Sequence, residues 1–356
     1  MRVGIITFIN TINFGASLQA LALQDVVESF GEEAEIIQYT NQTIEKAEKG
    51  NGRQSIKGLI KHIILNRYNL TKAEKFEKYE KKHLHKGMTL TEQTASKINE
   101  KYDLFITGSD QVWNASLTNG DLMYFLSFVQ DENKRVSYAP SFGNSVFPEK
   151  LYDTVTNLLQ SYKAVSVREK SGAEFAQKLT GREVETVLDP TLLLNAEEWK
   201  NKFDFKPQIE HYILVYFPHD KTKVFNFVKK LKEKTGLPVV YLSISPRRQS
   251  GVKTIYDASP DEFLGWVYYS DYVVTGSFHG TAFSLNMGKE FFYEPSGEGS
   301  RIDNLVKLTQ TEYRSIDNTD VLQSSIDYKI VEDTLEKERS KSKMWLKCAI
   351  EEDSDE

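Results

Sequence analysis

The sequence is poor in cysteine and has no long hydrophobic run, and both shortages exclude whole classes of protein. A single cysteine, Cys348, cannot form an intramolecular disulfide or build a metal site from several thiolates. The apolar start of the chain is too short for a signal peptide, and no later stretch approaches the roughly 20 apolar residues of a membrane span. We therefore expect a cytoplasmic protein built around ordinary hydrophobic cores.

Two further patterns are missing from the sequence. No histidine pair or carboxylate pair stands at the spacing of metal ligands, so we expect neither a metal nor a bound cofactor. The chain carries a formal net charge of −6 and contains no recognised nucleic-acid-binding motif, so we expect no nucleic-acid partner.

Positive charge is concentrated in one segment, residues 45–86, which holds 12 lysines and arginines against 5 glutamates. Apolar residues recur there at helical spacing, with Lys57, Lys61 and Arg67 around them. A cationic amphipathic helix of this kind can make peripheral contact with an anionic membrane. The plainer interpretation is that it covers one edge of the N-terminal sheet and leaves its lysines in water.

Short apolar runs alternate with segments of helical period along the chain, which is typical of parallel α/β layers. One series runs from RVGIITF to ETVLDP, and a second runs from YILVYFP to KEFFYEP. Because two such series cannot share one sheet without a long crossover, they predict two Rossmann-like domains facing across a cleft. We assign residues 1–194 to the first domain with a basic helical insertion at about 45–87, residues 195–325 to the second, and 326–356 to a C-terminal helix and acidic tail.

Polar turns follow many of the predicted strands. Since parallel strands place their C-terminal ends at one edge of the sheet, where α/β folds bind ligands, these turns are expected to gather at the cleft. The candidate binding or catalytic residues in them are Asn13, Gly15, Ser109, Asp110, Ser141, Arg168, Arg247, Arg248, Ser277, His279, Gly280 and Arg301.

Six blocks of the sequence carry a resemblance to a known family. They are GIITF…INFGASLQALAL, YDLFITGSDQVWN, SYAPSFG, SVREKSG, VLDPTLLL and TGSFHGTAFSLNMGKEF, and in this order they resemble the polysaccharide pyruvyl transferase family. The resemblance covers residues 2–314 and implies a fold similar to the GT-B glycosyltransferases. Two departures are Ile9, where many relatives carry histidine, and Ser277, where some branches carry arginine.

The resemblance also implies a reaction. Pyruvate would pass from phosphoenolpyruvate onto two hydroxyls of a sugar, forming a cyclic ketal. The acceptor would be a repeat unit of a bacterial capsule, exopolysaccharide or cell-wall polysaccharide, or its lipid-linked precursor. Two alternatives are a nucleotide-sugar glycosyltransferase, which the same fold supports, and a non-catalytic sugar-binding paralogue, with which the missing arginine is compatible.

The donor would carry a phosphate and a carboxylate, so its site needs cations and helix N-terminal amides. Arg168 stands at the end of a predicted strand and could bind the donor. Without the resemblance of the SVREKSG block, a solvent-exposed surface arginine would be the simpler interpretation. Arg301 is expected to supply the second cation in place of Ser277, with Arg247 and Arg248 in reserve. The Ser277 hydroxyl and the amides of the following helix, which starts around Gly280, would then bind the donor.

Proton transfer and acceptor binding need other groups. His279 begins a predicted helix and can move a proton near neutral pH, or it can simply cap that helix. Asp110 fits a helix cap and a direct acceptor contact equally well. The N-terminus of the helix that follows Asn13 can hold a sugar hydroxyl or a diphosphate. Gly15 is better explained as a position where the backbone requires glycine. Phe278 fits either stacking on a sugar or packing against the sheet edge.

Overall fold

The computed structural model describes residues 1–44, 56–143, 147–206, 209–217, 222–243, 250–318 and 325–351, with the backbone alone for 56–69 and 222. Within these residues the strands form two separate sheets in which every pair of neighbouring strands is parallel. Helices pack against both sheets. The prediction of an α/β protein with two Rossmann-like domains is confirmed.

The N-terminal sheet has seven strands in the order β3-β2-β1-β4-β5-β6-β7. Its strands are β1 (Arg2–Ile6), β2 (Glu33–Gln38), β3 (Lys86–Thr89), β4 (Leu104–Thr107), β5 (Arg135–Ser137), β6 (Ala164–Val167) and β7 (Glu185–Thr186). Its helices are α1 (Phe14–Ser29), α2 (Ile56–His83), α3 (Ala95–Lys101), α4 (Ala115–Thr118), α5 (Tyr152–Gln160) and α6 (Lys170–Thr180).

The C-terminal sheet has five strands in the order β10-β9-β8-β11-β12. Its strands are β8 (Ile213–Tyr216), β9 (Val239–Leu242), β10 (Lys253–Ile255), β11 (Tyr272–Thr275) and β12 (Glu290–Tyr293). The helices of this half are α7 (Ala196–Lys202), α8 (Thr222–Thr235), α9 (Pro260–Tyr268), α10 (Phe278–Asn286), α11 (Arg301–Leu308) and α12 (Tyr328–Glu351).

Central strands are apolar on both faces because each sheet is covered on both sides. In β4, Leu104 and Ile106 pack into one hydrophobic cluster while Phe105 packs into another on the opposite face. This is the side-chain alternation of a strand buried between two layers. The edge strands β3 and β10 are short and largely half-exposed, and they were not among the predicted strands.

Two segments connect the domains. After β7, the 3₁₀ turn Pro190–Leu192 is capped by Asp189 and leads into α7. Helix α12 then crosses back: its Tyr328 hydroxyl donates to the Ser284 carbonyl of the C-terminal domain at 3.4 Å, and near its other end Lys163 Nζ donates to the Ile350 carbonyl at 3.2 Å.

Helix α2 forms most of the predicted basic insertion. Residues 45–55 and the side chains of Lys57, Lys61 and Arg67 lie outside the described part of the chain. Further along the helix, Lys75 Nζ lies 2.9 Å from Glu262 Oε2 of the C-terminal domain. The Lys72 side chain is buried, with Nζ 5.0 Å from the centre of the Phe14 ring. These two lysines therefore face protein.

Candidate active site

The two sheets bring their switch points together. In the N-terminal sheet, β1 and β4 are neighbours whose connections leave in opposite directions, and β8 and β11 stand in the same relation in the C-terminal sheet. A ligand crevice is expected beyond the ends of such strands. The first turn of α1 follows β1, and the first turn of α10 follows β11, so these two turns lie at the crevice.

Gly15 in α1 and His279 in α10 are in close contact across this crevice. A Cβ atom added to Gly15 would lie 1.9 Å from His279 Nδ1. Two non-bonded atoms cannot come this close, so one of them would have to move. Glycine is therefore required at position 15 to let the imidazole approach, as the backbone interpretation of this residue suggested. His279 is buried between the domains, with Nδ1 towards α1.

Asp189 lies on the other side of the imidazole. Its Oδ2 atom is 3.6 Å from His279 Nε2 and 2.6 Å from Arg168 Nη1, and its Oδ1 accepts from the backbone and hydroxyl of Thr191. Burial would raise the pKa of the Asp189 carboxyl, but His279 and Arg168 outweigh burial and hold that pKa well below its usual range. Asp189 is thus an ionised carboxylate that links the candidate residues of both domains.

Arg168 follows β6 and is buried, which excludes the interpretation as a surface arginine. Its Nη2 lies 3.4 Å from Asp110 Oδ1, so Asp110 binds this guanidinium. Burial lowers the pKa of Arg168, but Asp189 and Asp110 outweigh burial and raise it above its usual value. The helix cap in this turn is Asn114, which decides against the capping role considered for Asp110.

Two guanidinium groups lie near the Phe278 ring. The Cζ atoms of Arg168 and Arg301 lie 4.6 Å and 5.8 Å from the ring centre, within cation–π range. The Gln111 carboxamide lies 3.2 Å from both terminal nitrogens of Arg301. Burial, and then the neighbouring charge of Arg168, lower the pKa of Arg301 to about 10. Arg301 therefore carries a positive charge that its protein neighbours only partly compensate.

Glu169 is a further carboxyl of this region that the sequence did not single out. Its Oε1 accepts from the Ser141 hydroxyl at 2.8 Å and from the Phe142 amide at 3.1 Å. Burial raises the pKa of Glu169, and the attraction of Arg168 offsets burial only in part. Its Oε2 is buried and, like Arg168 Nε and His279 Nε2, has no hydrogen-bond partner within the described part of the chain.

Several predicted binding residues have structural roles instead. Ser109 and Ser141 are fully buried and bond to protein groups, among them Ala139 and Glu169, so neither presents its hydroxyl to a substrate. A Cβ at Gly280 would lie 2.2 Å from Thr275 Oγ1, so Gly280 is a packing requirement. Tight packing of the turns against the strands explains all three corrections.

The remaining predicted residues are helix caps or lie outside the described chain. The Asn13 side chain accepts from the amides of Gly15 and Ala16, and the Ser277 hydroxyl accepts from the Gly280 amide at 3.4 Å. Arg247 and Arg248 fall outside the described residues. Asp189 was not among the predicted site residues, although it lies in the VLDPTLLL block of the family resemblance.

The described residues contain no group of three or more histidine, cysteine, aspartate or glutamate side chains placed to hold a metal ion. Among the helices that the structure describes, none is long and apolar enough to cross a membrane.

Comparison with solved structures shows the same overall fold at low sequence identity. A protein described as a UDP-N-acetylglucosamine 2-epimerase from Listeria monocytogenes matches with a TM-score of 0.54 and 11% identity, covering 97% of this chain and 90% of the other. The UDP co-structure of MnaA from S. aureus matches with a TM-score of 0.53 and 12% identity, with the same shares covered. These likenesses show two Rossmann-like domains of GT-B type.

Sequence comparison identifies the family. No curated protein sequence matches the chain significantly. The family model described as polysaccharide pyruvyl transferase matches residues 13–294, a range that contains Gly15, Asp110, Arg168, Asp189 and His279. Most of the chain, including these facing residues of both domains, is thus accounted for by one family: the protein belongs to the polysaccharide pyruvyl transferases.

Proposed function

We propose that this chain transfers the pyruvyl group of phosphoenolpyruvate onto two hydroxyls of a sugar, forming a cyclic ketal. The acceptor is a repeat unit of a bacterial surface polysaccharide or its lipid-linked precursor. Family membership supports the reaction class, and the arrangement around Phe278 supports the choice of donor.

The observation that carries the donor assignment is the incompletely compensated charge of Arg301. Two guanidinium groups approach one aromatic ring. Of the nearby carboxyls, Asp110 and Asp189 already pair with Arg168, and burial raises the pKa of Glu169 although Arg168 and Arg301 attract its charge. Arg301 has the neutral Gln111 carboxamide beside it, and it is repelled by Arg168. A small ligand with a phosphate and a carboxylate would supply the missing negative charge.

His279 is placed to move a proton between the two substrates. Ketal formation joins two sugar oxygens to C2 of the donor and breaks the bond from C2 to the phosphate oxygen. One hydroxyl proton goes to the methylene carbon, and the other leaves with phosphate. Nδ1 of His279 faces the start of α1, on the side we assign to the acceptor, and Nε2 faces Asp189, which borders the donor side. The imidazole can therefore serve as the acid or base.

Peripheral contact with an anionic membrane remains part of the proposal only for a lipid-linked acceptor. Two lysines of α2, Lys72 and Lys75, face protein groups. Such a contact would use other basic residues of the segment, such as Lys57 and Lys61 or the exposed Lys78.

Ligand-dependent thermal unfolding tests the donor. We expect phosphoenolpyruvate, but not UDP- or GDP-sugars, to raise the melting temperature. The reverse pattern would indicate a nucleotide-sugar glycosyltransferase, and a response to glycan alone would indicate a non-catalytic sugar-binding protein. Incubation with phosphoenolpyruvate and a panel of lipid-linked repeat units, read by mass spectrometry, then tests for the added pyruvyl group.

A further inference from the structure

A pocket of about 330 Å³ opens where the two domains meet helix α12. Arg168, Phe278 and Arg301 line one part of it, and Lys170, Glu338 and Lys341 line another. The volume is at the lower end of the roughly 300–1,000 Å³ typical of small-molecule sites. The pocket therefore extends from the two arginines of the candidate donor site to a helix that the proposed function does not use.

Positive charge predominates in the lining of this pocket. Besides Arg168 and Arg301, it contains Lys170 from the start of α6 and Lys341 from α12. The opposing carboxylates that line it are Glu338 and Asp189, and Asp189 already pairs with Arg168. Arg168 Nε is buried and has no hydrogen-bond partner among the residues that the structure describes. This balance suits an anion with more than one charge.

The position of Lys341 is fixed by the packing of its helix. The Ser342 hydroxyl, next in sequence, accepts from the Leu188 amide at 3.0 Å, and Arg339 Nε donates to the Leu192 carbonyl at 2.9 Å. Leu188 and Leu192 also line the pocket. The helix therefore forms one wall of the pocket.

The Lys341 amine pairs with a side chain at the protein surface. Its Nζ lies 3.1 Å from Glu185 Oε2, in a pair of largely solvent-accessible side chains. Exposed pairs of this kind contribute little, about 0–1 kcal/mol, so the amine can turn towards a ligand at small cost.

We propose that Lys341 is a further donor-binding residue and that α12 completes the phosphoenolpyruvate pocket. This inference rests on the proposed function. Arg168 and Arg301 bind the donor at the domain seam, and the Lys341 ammonium binds its outer anionic group. Glu338, one turn earlier on the same helix, opposes that binding through its negative charge.

Three charge variants of α12 test the inference by measuring the dissociation constant of phosphoenolpyruvate with isothermal calorimetry. We expect Lys341→Met to weaken binding by about fivefold to twentyfold and Glu338→Gln to strengthen it severalfold. Lys347→Met is the matched control, because Lys347 lies on the same helix, pairs with Glu351 and does not line the pocket. Its binding should stay within about twofold of the parent. Lys341→Arg should retain binding.

The outcomes separate this inference from the proposed function. If the parent binds phosphoenolpyruvate and Arg301→Ala loses it, but Lys341→Met binds like Lys347→Met, the role of α12 is wrong and the proposed donor stands. If the parent does not bind phosphoenolpyruvate, both are overturned. Melting temperatures of all variants show whether any loss of binding reflects unfolding.

Discussion

His279 Nε2 lies 3.6 Å from Asp189 Oδ2, at the seam between the two sheets. The imidazole belongs to the C-terminal domain, and the carboxylate stands where the chain leaves the N-terminal domain. Because the same oxygen also binds Arg168, this one carboxylate fixes the relative positions of the two residues that we place at the reaction.

Asp189→Asn should lower the free energy of unfolding by about 3 kcal/mol, because it leaves the buried Arg168 with Asp110 alone. The pKa of Asp189 is depressed in the folded state, so its contribution is present above the unfolded pKa and is lost as pH falls through the folded value. The difference between variant and parent should therefore shrink below about pH 4.

Urea denaturation at several pH values measures this difference. Asp204→Asn is the control, since Asp204 forms an exposed pair with Lys206 and should change stability by under about 0.5 kcal/mol. Equal stability of the two variants at neutral pH would contradict the role given to Asp189.

Gly15→Ala should destabilise the protein by about 1–3 kcal/mol and reduce turnover, because its Cβ would displace the His279 ring. Gly265→Ala in α9 is the matched control. There the nearest atom to a new Cβ is Phe205 Cδ1 at 3.8 Å, an ordinary contact, so the change should be neutral or stabilise the helix by up to about 1 kcal/mol. Similar melting curves for the two variants would show that the imidazole has room to move.

Arg301→Ala and His279→Ala should affect different steps. Loss of the Arg301 guanidinium should weaken phosphoenolpyruvate binding by at least about tenfold, because neighbouring carboxylates compensate its charge less than they compensate that of Arg168. His279→Ala should keep binding within about threefold and reduce kcat by roughly a hundredfold. Calorimetry and turnover with an acceptor used by the parent separate these effects. An Arg301 variant that binds and turns over donor like the parent would refute the assignment.

Lys72→Met should stabilise the protein, and the gain should depend on pH. Burial lowers the pKa of the Lys72 amine to about 8, so the folded protein loses this proton before the unfolded chain does. The cost of burying the charge is fully present below pH 8 and fades as pH rises towards the unfolded value of about 10.5.

The stabilisation by Lys72→Met should therefore fall by about 2–3 kcal/mol between pH 7 and pH 10. Lys78→Met, at an exposed position of the same helix, should show no such dependence in the same chemical denaturation series. A pH-independent difference between Lys72→Met and the parent would mean that the amine is solvated in the folded protein.

The sequence predicted the parts of the fold that repeat a simple pattern. Central strands such as Leu104–Thr107 are continuous apolar runs, and they were recognised because both faces are buried. The edge strands Lys86–Thr89 and Lys253–Ile255 were missed because a short, half-exposed strand has no such signature.

Those site residues whose position depends on strand topology alone could be predicted from the sequence. Arg168 and His279 follow parallel strands, and the rule for sheet edges is enough to place both at the cleft. Whether a turn residue faces the cleft or the core depends on side-chain packing, which has no period in sequence. Ser109 therefore looked like a binding residue although it is buried, and the link from Asp189 to His279 was not foreseen.

The return of α12 to the N-terminal domain gives the two halves a second connection, made of non-covalent contacts, besides the covalent linker that follows Asp189. A single linker permits both bending and swivelling, whereas two connections permit bending mainly about the line that joins them. Any opening of the crevice should then be a hinge rotation of one domain about that line. His279 would be carried away from Gly15 and returned to it along one arc, so each closure would restore the same contact.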